Sequence, residues 1–261
     1  MRALWTGSIS FGLINIPVRL YSGSEHNEGL DLTMLHKKDL SPIRYARICR
    51  RDGKEIPYDQ IVKGYEYKDG DYIVLTDEDF KRANARKTKT IDIAEFVLEG
   101  EIDSRYYEKP YYLEPQKGAD KSYALLRDAL NKSGKIAIAK FVLRNREHLG
   151  ALKPVGRALV LNQMRFPTEI RSPAKLDLPA GSKAGQKEIK MAMALIEQLT
   201  EPFIPEDFHD TYIEELQEAI EKKAKGKPAP KKGAEPEPTK VGDLMSALKA
   251  SLDKQAKTKS G

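Results

Sequence analysis

A mixed, mainly β fold is what the sequence predicts: a barrel of short strands with one inserted helix, then a helical C-terminal part. Three observations carry this. Short alternating apolar segments recur from Trp5 to Met164. Only one segment among them, Ser122 to Lys132, has helical spacing. From Lys187 onward the apolar residues return at helical spacing instead.

The elements follow in order. Trp5 to Tyr21 places Ile9, Phe11, Leu13, Ile14, Ile16, Val18 and Leu20 between breaks at Gly7, Gly12 and Pro17. Alternation from Ile14 to Leu20 puts Pro17 on the polar phase, which predicts an edge strand. Tyr65 to Thr76 alternates around Asp69-Gly70 and predicts a hairpin. Thr90 to Val97, Tyr106 to Leu113, Ile136 to Leu143 and Ala158 to Met164 predict further strands. The helix Ser122 to Lys132 sets Ala124, Leu125, Ala129 and Leu130 on one side and is closed by Gly134. Ile189, Met191, Met193, Leu195, Ile196 and Leu199 predict a helix ending before Pro202, and Tyr212 to Ala224 predicts another. Residues 225–240 are a Pro- and Lys-rich stretch without core-forming side chains, which predicts a flexible linker. Val241, Leu244, Met245, Leu248 and Leu252 then return at helical spacing. A short helix on a tether suits docking into a partner's apolar groove, or folding back on its own dimer.

Charge is placed rather than spread. The chain has 45 Lys+Arg against 39 Asp+Glu, net +6. Residues 222–261 alone net +7, so the body is slightly acidic. Within it two stretches net +5 each. His36 to Lys54 carries Lys37, Lys38, Arg44, Arg47, Arg50, Arg51 and Lys54 against Asp39 and Asp52. Lys81 to Lys89 carries Lys81, Arg82, Arg86, Lys87 and Lys89 against no acid. Such patches attract phosphate backbones, and an acidic remainder disfavours wrong orientations. Any one of these cations can also be a solvated face. Arg82 in particular can sit on a helix beginning at Asp77-Glu78-Asp79 and pair with those acids.

Other chemistries find no residues to carry them. One cysteine, Cys49, excludes an intrachain disulfide and builds no thiolate zinc site. His26, His36, His148 and His209 lack metal-ligand spacing, so neither a metal nor a cofactor is expected. Arg50-Arg51-Asp52-Gly53 has the spacing of a nucleotidyl-transfer motif, but arginine cannot deprotonate to act as its nucleophile. No phosphate-binding Gly-Lys-Ser/Thr loop or serine elbow occurs. The chain reads as a binder rather than an enzyme. Tyr106, Tyr107, Tyr111 and Tyr112 suit barrel packing better than base stacking. No apolar run approaches the roughly 20 residues of a membrane span, and the N-terminus lacks a signal-peptide core. A soluble protein of a reducing compartment, without membrane contact, is expected.

The motifs Trp5-Thr6-Gly7-Ser8-Ile9-Ser10-Phe11-Gly12-Leu13, Asn15-Ile16-Pro17-Val18-Arg19-Leu20-Tyr21, Ile61-Val62-Lys63-Gly64-Tyr65-Glu66-Tyr67, Val74-Leu75-Thr76-Asp77-Glu78-Asp79 and Leu125-Leu126-Arg127-Asp128-Ala129-Leu130 appear in this order. With the tail Asp243-Leu244-Met245-Ser246-Ala247-Leu248, they resemble bacterial Ku, the DNA-end-binding protein of non-homologous end joining. The resemblance implies a homodimer whose barrels and extended bridges close a ring around double-stranded DNA ends. It implies a core at 1–185 with the bridge at roughly 25–90, and a helical arm at 186–224 that embraces the partner. It further implies the linker at 225–240 and a ligase D-binding helix at 241–261 carrying Val241, Leu244, Met245, Leu248 and Leu252. Arg19 and Lys63 join the two basic stretches as implied DNA contacts, and a cytoplasmic, nucleoid-associated location follows. Independently of the family, an excursion of about 25 residues per leg could reach roughly 80 Å as a hairpin. A basic regulator that binds nucleic acid without end dependence is the alternative.

Overall fold

The computed structural model describes residues 1–25, 30–83, 89–181, 185–226 and 244–258. It divides into two compact units, Met1–Asn27 with Thr33–Pro173, and Glu28–Leu32 with Ala174–Gly261.

The first unit is built on a closed seven-strand barrel. Its strands are β1 (Trp5–Phe11), β2 (Ile14–Ser22), β5 (Thr90–Leu98), β6 (Tyr107–Pro115), β7 (Lys135–Leu143), β8 (Arg146–Val155) and β9 (Ala158–Met164). They pair in the order β1-β2-β6-β9-β8-β7-β5. Every neighbour is antiparallel except the closing seam, where β1 runs parallel to β5 in the register Ser8↔Thr90 to Ser10↔Asp92. Alternation places Ile16, Val18 and Leu20 of β2 in the interior, with Ile9, Ile91, Leu113, Phe141, Leu152, Leu159 and Leu161. Helix α2 (Asp120–Ser133) lies between β6 and β7 in sequence and buries Tyr123, Leu126 and Leu130 against this core. Burying each such side chain contributes about 1.5–3 kcal/mol. Gly134 closes the helix, as expected.

A smaller cluster of Ile136, Ala151 and Met164 lies on the outer face of β7, β8 and β9. Ile102, Tyr106 and Tyr107 cover it. Tyr111 is in the main core. The tyrosine group is thus largely packing, as expected.

Two expectations are corrected here. β2 is not an edge strand, because it pairs with β1 on one side and β6 on the other. Pro17 is tolerated because the Ser8 N–H is committed to the Lys89 carbonyl, and the β6 ladder ends at Val18↔Pro115. The proline nitrogen therefore faces a gap in the ladder, and its own carbonyl still accepts from Gln116 N at 2.9 Å. Strand β8 went unpredicted. Gly150, Pro154 and two charged residues at its start obscure its alternation. Its turn from β7 also uses Arg144 and Asn145 at φ 51° and 64°, where a glycine would have signalled a hairpin.

Between β2 and β5 the chain makes its excursion. It is not one long hairpin. Residues 34–56 form two compact turns closed by isolated bridges at Leu35↔Pro42 and Ile48↔Glu55. Only then come β3 (Lys63–Lys68) and β4 (Asp71–Leu75), a two-stranded sheet of their own, with the expected turn at Gly70. α1 (Asp77–Ala83) follows.

The second unit is helical, with α3 (Gln186–Leu199), α4 (Thr211–Ala224) and α5 (Leu244–Thr258). Asp210 caps α4 by accepting from the Ile213 N–H at 3.4 Å. α5 packs along α3, and Gln198 Nε2 donates to the Leu252 carbonyl at 3.5 Å. Of the expected linker at 225–240, residues 227–240 lie outside the described residues.

Candidate nucleic-acid interface

The first turn of the excursion is closed by the bonds His36 N to Ser41 O and Leu40 N to His36 O, both 2.8 Å. Asp39 locks it. Its carboxylate accepts from Ser41 N at 3.1 Å and Ser41 Oγ at 2.8 Å, and contacts His36 Nδ1 at 2.7 Å. These bonds, the serine's first, hold the Asp39 carboxyl below the usual carboxylate range. Lys37 and Lys38 are left exposed at the apex.

The second turn is closed by Cys49 N to Lys54 O at 2.8 Å and Gly53 N to Cys49 O at 2.9 Å. Asp52 accepts from Lys54 N at 3.3 Å. Arg50 and Arg51 stand exposed at its apex. His36, Asp39, Cys49 and Asp52 look like ligand types, but among the described residues no group of three or more could hold a metal ion. Hydrogen bonds close these turns.

The remaining predicted cations have quieter surroundings. Arg44 pairs with Glu55 at 3.5 Å, and Lys54 Nζ with Asp52 at 3.9 Å. Arg47 lies over the Tyr58 ring at 5.0 Å and Lys63 over the Phe80 ring at 5.0 Å. Arg82 pairs with Glu78 of α1 at 3.6 Å, the helical alternative weighed for it. Lys81 is on α1, and Lys89 is exposed just before β5. Arg86 and Lys87 lie outside the described residues.

Arg19 is exposed on β2 and pairs with Glu114 of β6 at 3.4 Å. Its acid is thus a cross-strand neighbour. The Tyr21 hydroxyl donates to the same carboxylate at 2.6 Å. Together, the tyrosine foremost, they hold Glu114 below its usual range.

Lys37, Lys38, Arg50 and Arg51 therefore differ from Arg19, Arg44, Lys54 and Arg82, each of which has an acid beside it. They have no acidic partner among the described residues, and they sit on turns closed by backbone hydrogen bonds. A second group of cations, which sequence reading missed, lines a cleft of about 720 Å3 at one end of the barrel. Lys109, Arg144 and Arg146 belong to it, but so does Glu108, and Arg146 pairs with Glu169. Burial holds the His148 imidazole there below its usual range, toward the neutral form. That cleft is of mixed sign.

Of the predicted helix residues at the C-terminus, Leu248 and Leu252 are half-buried and Met245 is exposed, on a helix packed against α3. Leu244 opens that helix, and Val241 lies outside the described residues.

The Ku70/Ku80 beta-barrel domain model matches residues 10–191. A "Non-homologous end joining protein Ku" of Opitutus terrae is 46% identical over 259 residues, 97% of this chain and 92% of that protein. The proteins of the same name from Bacillus subtilis and Archaeoglobus fulgidus are each 40% identical, covering 97% of this chain and 82% and 99% of their own lengths. A barrel with this excursion between its second and third strands, matched by relatives over nearly the whole chain, means that the chain belongs to the Ku family.

Proposed function

We propose that this protein binds double-stranded DNA ends without reading sequence, as a homodimeric ring threaded onto the broken end, and recruits ligase D in non-homologous end joining. The supporting observation is the apex cations Lys37, Lys38, Arg50 and Arg51, without an acidic partner among the described residues, on an excursion from the barrel of a Ku-family chain. Arg19, Arg44, Arg47, Lys54, Lys63, Lys81, Arg82, Arg86, Lys87 and Lys89 are the further proposed DNA contacts. Cations facing a backbone release counterions on binding and carry no sequence information. End preference then needs no end-specific chemistry, because a closed ring loads only over a free end.

Competition between a linear duplex and a closed circle of the same sequence tests this. The linear form should compete and the circle should not. With about five phosphate contacts from each of two subunits, the log–log salt slope should lie near −9. Equal competition by the circle would sink the ring and favour the basic regulator without end dependence.

The ligase arm rests on α5. Its apolar residues Leu248 and Leu252 are half-buried with α5 on α3, so a partner's groove must compete with that contact. Changing Leu244 and Leu248 to Asp should abolish stimulation of ligase D and leave DNA affinity in place. Intact stimulation counts against the assignment.

A further inference from the structure

The two turns of the excursion are one structure repeated. Every backbone–backbone bond of the first recurs in the second thirteen residues later. His36 N to Ser41 O becomes Cys49 N to Lys54 O, and Leu40 N to His36 O becomes Gly53 N to Cys49 O. Ile43 N to Met34 O, at 3.0 Å, becomes Ile56 N to Arg47 O, at 2.7 Å. The bridge Leu35↔Pro42 becomes Ile48↔Glu55. The turn carboxylate Asp39 becomes Asp52, each accepting from the N–H two residues on. Even the left-handed residue recurs, Leu40 at φ 56° and Gly53 at φ 70°. Leucine is disfavoured in that region, so the turn geometry is held at Leu40 against local preference.

The side chains repeat selectively. Between residues 34–43 and 47–56 the outer positions drift: Met34 against Arg47, Ser41 against Lys54, Pro42 against Glu55. The apex keeps its chemistry, Lys37-Lys38-Asp39 against Arg50-Arg51-Asp52. In both copies an acid folds inward to bond the backbone, and two adjacent cations are left exposed without an acidic partner among the described residues. The carboxylate is spent on the turn, so it does not cancel the pair beside it at contact range.

We propose that residues 34–43 and 47–56 are two equivalent phosphate-gripping units, in which Lys37-Lys38 and Arg50-Arg51 contact the DNA backbone and Asp39 and Asp52 act as positioning residues. This rests on the DNA-binding reading above and divides its footprint into two interchangeable parts per protomer. Both units take the same ligand chemistry, a phosphodiester backbone, and neither reads bases.

The test uses the full-length chain and a linear duplex across a salt series. Lys37→Gln with Lys38→Gln removes one pair, and Arg50→Gln with Arg51→Gln the other. Each double variant should flatten the slope by the same amount, about 3.6 for four lost contacts per dimer. The quadruple variant should flatten it by the sum. Asp39→Asn and Asp52→Asn separate positioning from charge. Each adds net positive charge, so simple electrostatics demands tighter binding and positioning demands weaker binding. Weaker binding by either aspartate variant, with an unchanged thermal midpoint, supports the proposal. Tighter binding, or a slope that responds to only one pair, overturns it. If the wild type prefers linear DNA over the circle but neither pair affects the slope, the repeat inference alone fails. A wild type without affinity for linear duplex overturns both readings.

Discussion

Tyr123 is the residue on which the inserted helix depends. Its hydroxyl donates to the Leu113 carbonyl at 2.7 Å and accepts from the Leu159 N–H at 2.6 Å, joining α2 to the end of β6 and the start of β9. Tyr123→Phe keeps the ring but leaves a buried N–H and carbonyl unpaired, which costs about 1–3 kcal/mol. Urea unfolding should show it as a lower midpoint with the same slope, and an unchanged midpoint would refute this role. At this scale the sequence was only partly legible. Which residues are cationic is plain from it, but which cations are free is not. Arg19 finds Glu114 ninety-five positions away, and Arg44 finds Glu55 across the second turn. Arg82 found its acid one helical turn away, so there local spacing sufficed.

The barrel's weak element is its closing seam. β1 meets β5 over three residue pairs only, and Ser8 bonds the Lys89 carbonyl where β5 begins. Gly7 makes that approach possible, since a Cβ there would lie 2.4 Å from the Lys89 carbonyl oxygen and closer still to the Trp5 ring. Gly7→Ala should therefore destabilise the barrel by about 1–3 kcal/mol, the usual cost of overpacking. Wild-type stability of that variant by thermal melting would show that the seam can give way. Most elements were legible because their periodicity is local: β1, β2, β5, β6, β7, β9, α3, α4 and α5 follow apolar spacing, and α2 was legible as a helix although it buries Tyr123 and Leu126 with Leu130 and leaves the expected Leu125 and Ala129 exposed. β8 was not. Gly150 takes a place where a Cβ would meet Leu161 Cδ1 at 2.9 Å and Phe141 Cε1 at 3.1 Å, so a packing requirement from other strands removed its side-chain signal. The thirteen-residue repeat was hidden for a related reason. Its two copies share backbone bonds while most of their side chains differ in detail.

Over the whole molecule, many large apolar side chains stand in water. Leu32, Tyr45, Tyr65, Tyr67 and Tyr72 on the excursion are each more than 60% exposed, as are Met193 and Ile196 on α3. Patches of this kind mark association surfaces, and a second copy of the chain is the proposed occupant. Stability should then depend on mass action, so the thermal midpoint should rise with protein concentration over a hundredfold range. A midpoint independent of concentration would speak for a monomer. The sequence by itself determined the fold class, the two basic stretches and the family, because strand alternation, charge density and short motifs are local properties of the chain. Tertiary structure alone decided which acids neutralise which cations, that β2 lies inside the sheet order, that α5 rests on α3, and that the first basic stretch is two copies of one turn. The strand order, the α5 contact and the Arg19–Glu114 pair join residues far apart in the chain, and the repeat lies in backbone bonds that its differing side chains conceal, so only the folded backbone reveals them.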